Sequence, residues 1–241
     1  MRSPATAEAS SAIGRIVALA ARTRADEARQ RSQSTDPKSY DEIFRRTAES
    51  ANEIQKRIAR ERKHGQAQWL VLERHPQPRR LVMIRNDRRL HTWGLYQILL
   101  ERSRGLASQN PRGAVQMAEL ALAVARCLDP EIHGEERTAD FQAAALAALA
   151  DAKRRLADRE GAWGAYEAAR ECLEEGTGDP LERAELEILR ARLLRDFGPE
   201  EEAERSLRRA GRLLRRIGDK RPEQDLLDDT AHGVVQRRAR G

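Results

Sequence analysis

Three short stretches of this chain share one spacing. Ala114, Ala118 and Ala121, then Ala162, Tyr166 and Ala169, then Ala203, Leu207 and Ala210 all run at intervals of four and three residues. On an α-helix this spacing puts the three side chains on one face. A face made mostly of alanine is little more than backbone, so only a closely approaching second helix can bury it. The chain must therefore fold as tightly packed helices. Composition supports this: 38 of 241 residues are alanine and 40 are arginine, both strong helix formers. We read the fold class as all-α.

Punctuation locates the helices. Ser39 and Glu42 form an S-x-x-E capping pattern, so a helix is expected from near Tyr40, with Ile43, Phe44, Ala48, Ala51, Ile54 and Ile58 on its apolar face and Gly65 bending or interrupting it. Residues 79–103 are read as helical, with a stripe of Leu90, Trp93, Tyr96, Leu99 and Leu100. Asn110-Pro111 and Asp179-Pro180 each place a cap before a proline at the first helical position. Gly176, Gly178, Gly198 and Gly218 mark stops. The short loops between these helices make neighbours antiparallel.

The resulting division has four parts. Residues 1–39 form an arm, with one short amphipathic helix carrying Ile13, Ile16, Val17 and Ala20. Residues 40–108 form an N-terminal helical region, 109–220 a repeat region, and 221–241 a flexible basic tail.

Each alanine-bearing helix follows another with its own stripe: Leu146, Leu149 and Ala150 before Ala162, and Ile188, Ala191 and Leu194 before Ala203. This arrangement resembles the tetratricopeptide repeat, in which helix pairs stack because no pair can bury its face alone. The match spans about residues 93–217. Its repeat distances are longer than that family's, Lys153 stands where an aromatic is expected, and no proline closes the unit after Ala169. The block "NDRRLHTWGLYQILLERS" is also similar to helical, repeat-bearing bacterial proteins. The resemblance implies a short solenoid of helical hairpins with a groove lined by the first helix of each pair. Carried onto this chain, the groove positions are Ala144, Ala147, Asp151, Arg154 and Arg155, then Glu185, Ile188, Arg192, Arg195 and Asp196. Arg154, Arg155, Arg192 and Arg195 would then grip an acidic peptide or a C-terminal carboxylate through paired hydrogen bonds.

The net charge of +6 admits a nucleic-acid partner, although heavy use of arginine and alanine together produces the same balance by composition alone. The densest cluster is "RRLVMIRNDRR", where Arg79, Arg80, Arg85, Arg88 and Arg89 face only Asp87. It reads either as a phosphate-binding surface or as solvated helix ends.

No motif here assembles a nucleophile, a base and an oxyanion site, so the expectation is a non-enzymatic protein without cofactor or metal. His133 with Glu131, Glu135 and Glu136 reads as a solvated loop, and Asp228, Asp229 and His232 as a fraying end. Cys127 and Cys172 read as buried small hydrophobes. With two separated cysteines and no apolar run of membrane length, a cytoplasmic protein without a membrane partner is expected. Its partner would be a protein or acidic peptide, or alternatively nucleic acid.

Overall fold

The computed structural model describes residues 37–219. They belong to two compact units, one holding residues 37–61 and the other 62–219 of the described chain. The first unit's described residues are helical throughout, with Lys56 Nζ 2.8 Å from Glu53 Oε1 one turn away. Residues 1–36, which include the arm's expected amphipathic helix, and the tail with Asp228, Asp229 and His232 lie outside the described residues.

Nine α-helices and one 3-10 turn make up the described residues, with no strand among them. The helices are α1 (Pro37–Leu72), α2 (Gln77–Asn86), α3 (Trp93–Leu106), α4 (Pro111–Ala125), α5 (Pro130–His133), α6 (Glu135–Arg155), α7 (Arg159–Glu174), α8 (Pro180–Phe197) and α9 (Glu200–Arg216). The 3-10 turn, Arg88–Leu90, lies between α2 and α3.

Within the second unit, α3 with α4, α6 with α7, and α8 with α9 form three helical hairpins. The hairpins stack: α6 packs on both α3 and α4, and α8 packs on both α6 and α7. All nine residues of the three alanine-rich patterns are buried, and so are Leu146, Leu149, Ala150, Ile188, Ala191 and Leu194. Trp163 packs edge-on against Tyr166, their ring centres 5.5 Å apart.

Polar pins set the register of the stack. Ser103 Oγ, fully buried, donates to the Ala114 carbonyl at 2.9 Å and ties α3 to α4. Tyr96 Oη donates to the Phe141 carbonyl at 2.9 Å and ties the first hairpin to the second. Within the third hairpin, Arg190 reaches Glu202 at 3.6 Å and Ser206 Oγ at 3.3 Å. Such bonds add little net stability, but breaking one strands a buried polar group.

Several local expectations need correction. Residues 79–103 are not one helix. The Asp87 side chain accepts from Arg89 N and the Thr92 side chain accepts from Leu95 N, and these local bonds outcompete helix continuation. Leu90 still reaches the core, from the 3-10 turn. Gly65 does not interrupt α1. It is buried against the Gly94–Leu95 backbone, where a Cβ would fall inside atomic contact, so α1 and the start of α3 can meet only through glycine. Helix α1 already includes Pro37, which puts Ser39 inside its first turn and not at its cap. The segment around His133 contains the short helix α5, capped by Asp129. Helix α6 ends at Arg155. Ala157 follows with φ of 57°, and Asp158 then caps α7 through Gly161 N.

Neither Gly161 nor Gly164 lies at a helix crossing. Gly161 packs against the Asp158 cap, and Gly164 is exposed with open space where its Cβ would be. Gly164→Ala should therefore stabilise the fold by about 0.5–1 kcal/mol through helix propensity. Ala162→Leu, at a fully buried site, should overpack the α6–α7 seam and destabilise by roughly 1–3 kcal/mol. Urea denaturation of both variants measures the two signs, and a neutral Ala162→Leu would reject the seam's register.

Candidate functional site

The first and second helices of the hairpins carry their polar residues differently. On α7, Glu167, Arg170, Glu171 and Glu174 are exposed; on α9, Glu204, Arg205, Arg208, Arg209 and Arg212 are exposed. On the first helices the polar side chains are mostly half-buried: Gln97, Glu101 and Arg104 on α3, Gln142, Asp151 and Arg154 on α6, and Glu182, Glu185 and Arg192 on α8. These half-covered polar groups on the first helices are the candidate site.

Its first part is acidic and lies near the starts of α6 and α8. Asp140 is buried and accepts from Thr177 Oγ1 at 2.7 Å and Thr177 N at 3.2 Å, tying α6 to the loop before α8. Asp179 caps α8 by accepting from Leu181 N, and Glu182 follows in the first turn. Burial and the nearby charges of Asp140, Glu185 and Asp179 push the Glu182 carboxyl up to about 8, so it carries its proton at neutral pH. Its Oε2 is buried and accepts no hydrogen bond. Tyr96 closes this part: burial, first of all, raises its hydroxyl well above the usual tyrosine range. Arg104 crosses from the first hairpin to the third, 3.9 Å from Glu185.

The second part lies near the ends of α6 and α8. One Asp151 carboxylate takes Arg154 at 2.9 Å through Oδ1 and Arg155 at 2.9 Å through Oδ2. Burial by itself would raise the Asp151 pKa; Arg154, Arg155 and Arg192 outweigh it and hold the carboxyl below the ordinary range. Arg154 also bonds Asp196 of α8, so one guanidinium joins the second and third hairpins. Burial opposes the charge on Arg154, but Asp151 and Asp196 hold it fully protonated.

The four arginines singled out from sequence thus separate. Arg154 and Arg155 share Asp151, Arg192 adds its charge to the same carboxylate, and Arg195 stands exposed. Ala144 and Ala147 are half-buried, packed against the core. Ile188 is buried in the core and does not line the face, a correction to the transferred groove. Sequence reasoning placed Asp151 and Asp196 on this face but missed that they neutralise its arginines; the i,i+3 and i,i+4 spacing of Asp151 to Arg154 and Arg155 was the available signal. It missed the Asp140–Glu182 pairing, which joins residues 42 positions apart.

The five arginines of the other cluster also separate. Arg80 is engaged: its Nε donates to the Leu72 carbonyl at 3.1 Å, its Nη2 to the Glu73 carbonyl at 2.9 Å, and its guanidinium lies 5.3 Å from the Trp69 ring centre. Arg89 pairs with Asp87 at 2.9 Å. Arg79, Arg85 and Arg88 are exposed.

Among the described residues no group of three histidine, cysteine or acidic side chains is placed to hold a metal ion. His133 instead packs edge-on to Phe141, ring centres 6.0 Å apart. Cys127 and Cys172 are free and half-buried, and burial raises the Cys172 thiol pKa. No helix of the described residues is long and apolar enough to cross a membrane. Comparison of the chain with family models, curated proteins and solved structures finds no match.

The Glu182 environment has a pH consequence. Its folded pKa lies above the ordinary 4.5, so the fold favours the neutral acid. The stability this gives is complete below about pH 4.5 and is lost as pH rises through about 8. Glu182→Gln keeps the shape without the charge. It should leave stability at pH 4 little changed and raise it at pH 9 by roughly 2–4 kcal/mol relative to wild type, read from urea midpoints at both pH values. An equal effect at both would show that Glu182 is not a buried neutral acid.

Proposed function

We propose that the chain is a non-enzymatic scaffold of tetratricopeptide-like hairpins that binds an acidic peptide or protein segment across its first-helix face. The observation that carries this reading is the Arg154–Asp196 pair. The Arg154 side chain is 13% exposed and Asp196 is 41% exposed. The cation is fixed in the wall of the face, by Asp151 below and by burial around it. Its second partner is a replaceable carboxylate at the rim. Asp196 thus occupies the place an incoming carboxylate would take, and Arg192 and Arg195 lie one turn and less from it on the same helix. Exchange of one carboxylate for another keeps Arg154 paired at every stage, which avoids the cost of an orphaned buried charge.

The tetratricopeptide-like reading is supported by the burial of the alanine pattern in all three hairpins and by the stacking of each first helix on the pair before it. A binding role also fits the ionisable groups of the face: Asp140, Asp151 and Arg154 are bonded between or along helices and are engaged in holding hairpins together.

Fluorescence anisotropy with labelled acidic peptides, free at the C-terminus, tests the proposal. Asp196→Asn should tighten the best peptide several-fold by removing the internal competitor. Arg192→Glu with Arg195→Glu should weaken it at least ten-fold. A peptide that binds equally to wild type and both variants would place binding elsewhere, and a panel with no binder would remove the acidic-segment reading.

A further inference from the structure

The chain's positive charge is not spread over the molecule. Residues 62–92 hold eight basic and two acidic side chains, whereas residues 93–219 hold twenty basic and twenty-four acidic ones. The hairpin stack is therefore net acidic, and the excess positive charge lies on the segment before it: the end of α1, α2 and the 3-10 turn.

Helix α2 gives this charge a direction. Its inward side carries Ile84, fully buried, with Leu81 and Met83 packed against the core. Its outward side carries Arg79, Val82, Arg85 and Asn86, all exposed, and Arg88 continues it in the 3-10 turn. Positions 79, 82 and 85 recur every three residues, so they share one face. No acidic residue lies among them. Asp87, the nearest acid, is bonded to Arg89 through both the side chain and the backbone N–H. Helix α9, equally rich in exposed arginine, is different. There Arg205 pairs with Glu201, Arg208 with Glu204 and Arg209 with Glu187. Among the described residues no ion pair engages Arg79, Arg85 or Arg88.

The face is also rigidly mounted. Arg80 donates to the Leu72 carbonyl at the end of α1 and to the Glu73 carbonyl just after it, and the guanidinia of Arg80 and Arg102 lie 5.3 and 4.9 Å from the Trp69 ring centre. Gln68 Oε1 accepts from Thr92 Oγ1 at 2.7 Å and His91 Nε2 lies 2.7 Å from the Ile84 carbonyl, fixing the 3-10 turn from both sides. A small, stiff, unpaired arginine face suits a ligand with regularly spaced oxyanions, because each planar guanidinium can give two parallel N–H bonds to one phosphate.

We propose that Arg79, Arg85 and Arg88 form a docking face for the sugar-phosphate backbone of nucleic acid, separate from and independent of the peptide-binding face. A lipid surface suits the geometry less. A helix lying in a membrane interface turns its apolar side outward, and α2 spends its apolar side on the core. Backbone contact without base readout makes the binding insensitive to sequence and strongly dependent on salt.

The test uses the full chain and a labelled mixed-sequence oligonucleotide, single-stranded and duplex, in anisotropy titrations from 50 to 200 mM salt. Two triple variants remove the same charge: Arg79, Arg85 and Arg88→Ala, and as control Arg205, Arg209 and Arg212→Ala, each checked for helicity by circular dichroism. The α2 triple should weaken binding more than ten-fold and reduce the slope of log affinity against log salt by about 2–3; the α9 triple should change affinity less than three-fold. Three results would overturn the proposal: no binding at 50 mM salt, equal loss in both variants, or binding to phosphatidylglycerol vesicles or self-association that depends on the three arginines while nucleic acid is not bound.

Discussion

The close approach of helices through alanine is the constraint on which the rest of the second unit depends. Ala114, Ala118, Ala121, Ala145, Ala150, Ala152, Ala162, Ala169, Ala184, Ala191 and Ala210 have no exposed surface. An alanine contact brings backbones together but hides little apolar area, and stabilisation scales with area. It also specifies position poorly, because one methyl group fits much like another. A stack built this way needs large side chains at intervals to fill the spaces, supplied by Tyr96, Tyr166, Leu99, Leu120 and Leu193. It also needs directional bonds to say which turn sits beside which. The Tyr96, Ser103, Asp140 and Arg154 contacts do this between elements.

Those directional bonds explain why the first-helix face is ionic. The side chains that tie one hairpin to the next, Tyr96, Asp140 and Arg154, project from first helices. Two carboxylates, Asp140 and Asp151, each serve several donors. At one end the acids exceed the cations and Glu182 responds by staying protonated. At the other end the cations exceed the acids and Asp151 is held strongly ionised. The face is thus polarised along its length, and a ligand crossing it would meet neutral acid at one end and crowded arginine at the other.

Charge pairing also separates arginines that look alike in the sequence. Arg205, Arg208 and Arg209 have glutamates one turn or one helix away, which cancels most of their field. Arg79, Arg85 and Arg88 follow a stretch with few acids. A count of basic residues treats these sets as equal; their neighbours distinguish them.

The sequence by itself determined the helical class and most helix limits. Alanine periodicity and proline or glycine punctuation act within about ten residues, and such local rules can be read without a fold. It also placed the alanine triplets on buried faces, since a stripe of that spacing has nowhere else to go. It misjudged residues 79–103, where the caps Asp87 and Thr92 overrode a continuous apolar stripe, and Gly65, whose role depends on Gly94 across a helix crossing. Tertiary structure alone decided the ionic contacts between hairpins. Arg154 meets Asp196 and Glu182 meets Asp140 only because stacking brings residues some forty positions apart into contact. Coulombic and desolvation energies depend on distance and burial in space, and neither quantity is written in the order of the residues.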